Sequence, residues 1–172
     1  MIYDERTERK EQILQAARQI MAAARTAPKG KGKDIIEICI ITDEDIQRIS
    51  DKLLDMAREM QLPFMERDAA NVLRADAILL LGTATHCHGL DCGHCGFPCC
   101  SDKPDATPCA LNTIDVGIAI GSAAATAADM RLDSRVMFSA GLAAQRLAIL
   151  GDCRTVMAMP FSVSSKNPFF DR

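Results

Sequence analysis

Residues 23–49 read AARTAPKGKGKDIIEICIITDEDIQRI. A helix entering this stretch must stop ahead of Pro28, because proline disfavours helical geometry in the residue before it. Lys29, Gly30, Lys31, Gly32 and Lys33 then make a basic, flexible loop. Asp34–Ile41 (DIIEICII) is rich in β-branched residues and reads as a buried strand. Thr42 is a good N-cap, and Asp43, Glu44 and Asp45 fall in a first turn where the helix dipole favours acids. Helix, loop, strand and helix in quick succession point to a fold that mixes both elements.

The same pattern extends outward. Upstream, Ile13, Leu14, Ala17, Ile20, Met21 and Ala24 recur at helical spacing over a helix predicted from about Glu5 to Ala24. Downstream, Ile46, Ile49, Leu53, Met56, Ala57 and Met60 face inward on a helix that Pro63 brings to an end. A short helix near Met65–Arg74 and a strand at Asp76–Gly82 follow. A cysteine-rich loop then runs from Thr83 to about Ala110. Beyond it, Asn112–Met130 is a helix built almost wholly of small residues (DVGIAIGSAAATAAD), open to close approach by a neighbouring helix, a second subunit or a flat cofactor. A further helix is expected over Ser134–Ile149, burying Val136, Met137, Ala140, Ala144 and Leu147, with Gly151 as its cap. A last strand spans Arg154–Val163. The tail NPFFDR carries two adjacent phenylalanines suited to a partner subunit or to a local groove. Without a strict βαβ alternation, α+β is the expected class, as one domain over residues 1–172.

Composition narrows the function. A hydrophobic fraction of 48% supports a real core, and a net charge of −3 leaves no electrostatic footprint for nucleic acid. The longest strand-like apolar run, AILLLG at Ala77–Gly82, is far short of a membrane span. The opening MIYDERTERKEQ is too charged for a secretory signal, so a cytoplasmic protein is expected. In a reducing compartment, clustered cysteines favour metal binding or catalysis over a disulfide framework. Cys39 and Cys153 lie in apolar, strand-like runs, where cysteine acts as a small hydrophobe.

Six of the eight cysteines and all three histidines lie in HCHGLDCGHCGFPCCSDKPDATPC, His86–Cys109. Cys92, Cys95 and Cys100 form C-x2-C-x4-C, with Cys109 following after eight intervening residues, and four thiolates can close an iron–sulfur or tetrahedral metal site. Gly93 and Gly96 allow tight turns that aim backbone N–H groups at sulfur, which tunes a cluster. Cys87, Cys92 and Cys95 offer a second register, C-x4-C-x2-C, with Cys99, Cys100 or Cys109 as its fourth ligand. Zinc is the rival metal, with His86, His88 or His94 joining the Cys92–Cys95 pair. It would make the chain a non-enzymatic, zinc-stapled interaction module. No nucleophile and base can be paired from the sequence, so a catalytic cysteine ranks last.

Three resemblances bear on these residues. CGHCGFPCC at Cys92–Cys100 is similar to the C-G-x-C-G-x-x-x-C opening of a 4Fe–4S module, which implies Cys92, Cys95, Cys100 and Cys109 as ligands. Here the fourth cysteine follows more closely than in the usual module. GLDCGHCGF, with the segment Cys109–Leu147, resembles a prokaryotic family described as containing a ferredoxin domain, which has a D-x-G-I-A-x-G-S helix after its cysteines. Ala23–Ile49 and the element order of Asp115–Ser164 resemble flavin-dependent nitroreductases. That likeness implies a nitroreductase-like α/β/α sandwich, a homodimer, and FMN touching the loop after the first helix. Lys29, Lys31, Gly32 and Lys33 are then the candidate flavin-phosphate contacts, since N–H groups and ammonium charge both favour an anion. A solvated basic turn fits the same residues. The arginine-rich R-x-S-x-R start of that family is missing here, and lysines replace the usual serine and asparagine of its loop. Together these readings make the chain an iron–sulfur redox protein with one 4Fe–4S cluster. It would pass electrons to a redox partner or a small-molecule acceptor, with FMN as a possible second cofactor that would make it an oxidoreductase.

Overall fold

A computed structural model of the chain describes residues 1–170. Among the described residues the strands are β1 (Ile36–Ile41), β2 (Ala77–Thr83), β3 (Asp133–Ser134) and β4 (Thr155–Ser162). They form one sheet in the order β1-β2-β4-β3, with every neighbouring pair antiparallel. Five α-helices accompany them: α1 (Glu5–Thr26), α2 (Glu44–Met60), α3 (Phe64–Val72), α4 (Ala110–Asp129) and α5 (Phe138–Arg146).

The alternation of strand side chains decides the layering. All seven residues of β2 are buried. Ala77, Leu79 and Leu81 join Met159 and Phe161 of β4 against α1 and α4. Ile78 and Leu80 join Val156 and Ala158 against α2, α3 and α5. Successive strand residues point to opposite faces, so a strand buried at every position has to be covered on both sides. The result is the expected α/β/α sandwich, α+β in class. Each fully buried Ile or Leu contributes about 1.5–3 kcal/mol.

Several local expectations shift. Thr42 does not cap α2. Asp43 does, with φ of 50° and no capping side-chain bond, while Lys10 on α1 pairs with its carboxylate. Met60 is 40% exposed rather than inward. The helix expected over 134–149 is shorter, because its first residues are drawn into the sheet. Asp133 and Ser134 pair with Ser162 and Phe161, and Met137 bridges to Ala158. Val136, between these contacts, therefore faces solvent. The helix ends at Arg146, and Gly151 sits at positive φ in a later turn instead of at the cap. α4, the small-residue helix read over 112–130, has the length and composition to cross a membrane, which the strand-like run AILLLG does not. One face of it packs into the core, with Ala119, Ala123 and Ala127 fully buried, while Ile114 and Ile118 on the other face are exposed. The tail covers a local groove. Phe169 is fully buried, its carbonyl accepts from Arg135 at 2.9 Å, and the Arg135 guanidinium lies 5.6 Å above the Phe170 ring.

Candidate metal centre

The cysteine loop leaves the sheet at the end of β2 and returns at the start of α4. At its stem, Thr83 Oγ1 donates to the Ile35 carbonyl at 3.1 Å, beside the entry to β1. Asn112, in the first turn of α4, donates through Nδ2 to the His86 carbonyl at 2.6 Å and the Ala84 carbonyl at 3.4 Å. This ties the departing strand to the returning helix.

Farther out, the loop turns on left-handed residues: Gly89, Asp91, Gly93 and Gly96 all have positive φ. The Gly96 N–H donates to the Gly93 carbonyl at 2.9 Å, closing a tight turn around His94 and Cys95. Asp91 and Cys100 latch to one another. The Cys100 N–H donates to Asp91 Oδ1 at 2.6 Å, and the Asp91 N–H is directed at Cys100 Sγ at 3.4 Å. A backbone N–H on sulfur is the kind of donor that supports a cluster thiolate. Lys103 is buried, and its ammonium donates to the carbonyls of Pro104 (3.1 Å) and Thr107 (2.8 Å), holding the run that leads to Cys109.

All eight cysteines are free of disulfides. Cys92 and Cys99 are exposed, Cys87, Cys95 and Cys100 half-buried, and Cys109 buried at the N-cap of α4. The loop thus carries all four proposed ligands, Cys92, Cys95, Cys100 and Cys109, but does not draw their sulfurs around one point. Among the described residues, no three His, Cys, Asp or Glu side chains form a metal-holding group. In kind, the donors fit a soft metal: uncommitted thiols, turns that need no side chain, and an N–H aimed at sulfur.

Cys39 and Cys153 stand apart from this chemistry. Burial raises the Cys39 thiol above its ordinary range and pushes Cys153 up to about 11. Only the thiolate is a competent nucleophile. Alkylation of the folded, metal-free protein at about pH 8 is therefore expected to label Cys92 and Cys99 first and to spare Cys153, as read by peptide mass mapping. Cys153 reacting as fast as Cys92 would contradict this placement.

The basic loop divides its residues between tasks. Lys29 is turned back onto α1, where its ammonium caps the carbonyls of Ala24, Arg25 and Ala27. This answers helix acceptors that have no partner within the helix. Lys31 is exposed at positive φ, with Nζ 3.4 Å from the His88 carbonyl. Gly32 faces open space at positive φ, and Lys33 is exposed.

A buried group links the two loops. His88 Nε2 lies 3.1 Å from Asp115 Oδ2, and the Gly30 N–H donates to both oxygens of that carboxylate, at 3.1 and 3.0 Å. Sequence reasoning offered His88 as a candidate metal ligand and passed over Asp115 and Asn112. The available signal was two polar residues three apart, on one face at the start of a helix made mostly of small residues.

Residues 105–172 match a family model described as "Uncharacterized protein containing a ferredoxin domain". The match includes Cys109 and begins after Cys100. An uncharacterized protein of Archaeoglobus fulgidus is 37% identical over 182 residues, covering 100% of this chain and 98% of its own length. Among solved structures, nitroreductase A from Vibrio parahaemolyticus aligns with a TM-score of 0.59 at 16% identity, over 90% of this chain. The alignment spans only 60% of that longer protein. A nitroreductase with bound FMN from Desulfitobacterium hafniense gives a TM-score of 0.60 at 15% identity, over 96% of this chain and 80% of its own. At such identities the likeness is one of fold, and that fold is nitroreductase-like.

Proposed function

The chain belongs to the family of proteins described as containing a ferredoxin domain, and on that premise we propose that it is an iron–sulfur redox protein holding one 4Fe–4S cluster. The observation that carries the reading is the latched cysteine turn. Cys92, Cys95 and Cys100 lie on a loop bent by Gly93 and Gly96, with the Asp91 N–H already directed at the Cys100 sulfur. Cys109, at the mouth of α4, supplies the fourth thiolate.

When bound, a cluster of this kind takes up and gives off single electrons. The chain's part is to hold and tune it. Asp91 keeps the turn in register, Lys103 braces the stretch between Cys100 and Cys109, and Asn112 anchors the stem to α4. Exposed Cys92 leaves one side of the loop open to a redox partner or a small acceptor. The nitroreductase-like scaffold extends the proposal to a cytoplasmic homodimer with FMN near the basic loop, which would make the protein an oxidoreductase. Lys31, Gly32 and Lys33 are exposed there and suited to a phosphate. Lys29 would have to leave its carbonyls on α1 to join them.

The test is purification under anaerobic conditions without reconstitution, followed by a visible spectrum and assays for iron, sulfide, zinc and flavin. A broad brown absorption with about four irons per chain is the expected result. Released FMN would support the oxidoreductase extension. A colourless protein with stoichiometric zinc would replace the redox reading with a structural staple.

A further inference from the structure

The sheet ends at β1, and among the described residues no strand lies beyond it. Two observations show which of its backbone groups face that open edge. Arg25 Nη1 donates to the Ile36 carbonyl at 2.6 Å. Thr83, the β2 residue opposite Ile36, turns its own carbonyl toward β4 and accepts from the Arg154 N–H at 2.9 Å. Ile36 and Thr83 are therefore a pair that exchanges no backbone bonds. In an antiparallel ladder such pairs alternate with bonded ones, so Ile38 and Ile40 also turn their N–H and C=O groups outward. The side chains of Ile36, Ile38 and Ile40 share the face toward α1. β1 carries one charge, Glu37, no proline, and an unbroken register with β2. An apolar edge of this kind is a template for another strand.

Beside this edge lies a cavity of about 320 Å³, lined by Arg18, Met21, Ala22 and Arg25 of α1 and by Ile38. Met21, Ala22 and Ile38 make its apolar lining, and both lining charges are cationic. Arg25 is engaged by Asp34 at 2.5 Å as well as by the Ile36 carbonyl. Arg18 is the freer of the two, with its side chain 57% exposed and Glu11 at 3.5 Å.

We propose that this edge binds an extended segment of a partner protein that carries an acidic side chain two residues from an apolar one. The main chain of the segment pairs with Ile38 and Ile40. Residues i and i+2 of an extended chain share a face, so both side chains turn toward α1 together. The apolar one enters the cavity over Met21 and Ala22, and the acid meets Arg18. Main-chain bonds give such a complex its affinity, and the side chains give it selectivity. A second copy of β1 fits this edge poorly. Its α1-facing residues are isoleucines, Glu37 points to the other face, and the pairing would bring two sets of arginines together. The inference is independent of the cluster reading, because α1 and β1 carry none of the four proposed ligands.

The test follows amide hydrogen exchange by nuclear magnetic resonance in the full chain, alone and with the probe peptide acetyl-TVTETVT-amide. The glutamate of that peptide lies between two valines on one face. In the chain alone, the Ile38 and Ile40 amides are expected to exchange at least about tenfold faster than those of Glu37, Cys39 and Ile41. The peptide should slow Ile38 and Ile40. Its lysine counterpart, acetyl-TVTKTVT-amide, should bind at least about tenfold more weakly, and Arg18→Glu should reverse that preference. Slow exchange at Ile38 and Ile40 before any peptide is added would overturn the open edge. Exchange that slows as the protein alone is concentrated would give the edge to a second copy and overturn the proposal. Peptides that slow neither amide at millimolar concentration would refute docking, and equal binding of the two peptides would refute the acidic partner. The comparison of peptides uses the unaltered chain, so a folding defect in Arg18→Glu would not blunt it.

Discussion

On the proposed 4Fe–4S reading, Cys95→Ser is expected to yield a colourless or weakly coloured protein, with iron falling from about four per chain to a small fraction of that, and with its helix and sheet content intact. Two features of the structure support the expectation that the fold survives. Cys95 is half-buried inside the tight turn closed by Gly93 and Gly96, so its thiol has no packing duty that serine would disturb. Both apolar layers are built from the helices and strands, and neither includes Cys92, Cys95 or Cys100. Serine oxygen is a harder and less readily ionised donor than thiolate, so the loss falls on the metal. Iron and sulfide analysis with far-UV circular dichroism on the same preparation checks both halves. A full cluster in the variant would remove Cys95 from the ligand set. A collapse of secondary structure would mean that the loop organises the core, against the layering described above.

The largest effect on stability is expected at Gly141. This residue lies on α5 where the helix presses against β4, and a Cβ there would stand 2.1 Å from the Val156 carbonyl oxygen and 2.7 Å from the Met157 Cα. Both obstacles are backbone, so no rotamer change relieves them. Alanine in a helix interior gains about 1 kcal/mol over glycine from propensity. Overpacking a core costs about 1–3 kcal/mol and occasionally more, and here a helix must move off its strand. We expect Gly141→Ala to lose at least about 3 kcal/mol, out of a total that for ordinary domains is about 5–15 kcal/mol. Urea unfolding followed by circular dichroism measures it. The control is Gly121→Ala on α4, where nothing lies within 4 Å of the added methyl. That variant should be stabilised by up to about 1 kcal/mol. Equal stability of Gly141→Ala and the parent chain would refute the close α5–β4 packing.

Much of the fold was legible because burial leaves a local record. The apolar period of α1 and α2, the β-branched run of β1 and the uninterrupted apolar run of β2 each report which faces are covered. Readings failed where a residue answered to something distant. Val136 fits a helical stripe, yet the edge pairing of Asp133 and Ser134 with β4 holds its segment extended. Met60 fits the inward face of α2, but it falls in the last turn, beyond the neighbours that bury Leu53 and Met56. Lys29 reads as a loop cation, and only the direction of the chain after α1 turns its ammonium back on the helix end.

The sequence by itself determined which donors the loop carries. Soft donors at short spacing, relieved by glycine, are a statement about metal affinity that needs no coordinates. It also determined the mixed class, since the periods of 2 and 3.6 are written residue by residue. Only the tertiary structure decided that Gly30, His88 and Asp115 meet. The Gly30 N–H and the Asp115 carboxylate that it holds are 85 residues apart, and His88 lies 27 residues before Asp115. No local pattern encodes such a meeting. Hydrogen bonds between distant segments are set by how the two layers close over the sheet. The partner of a buried polar atom is therefore a property of the packed molecule and not of its neighbours in the chain.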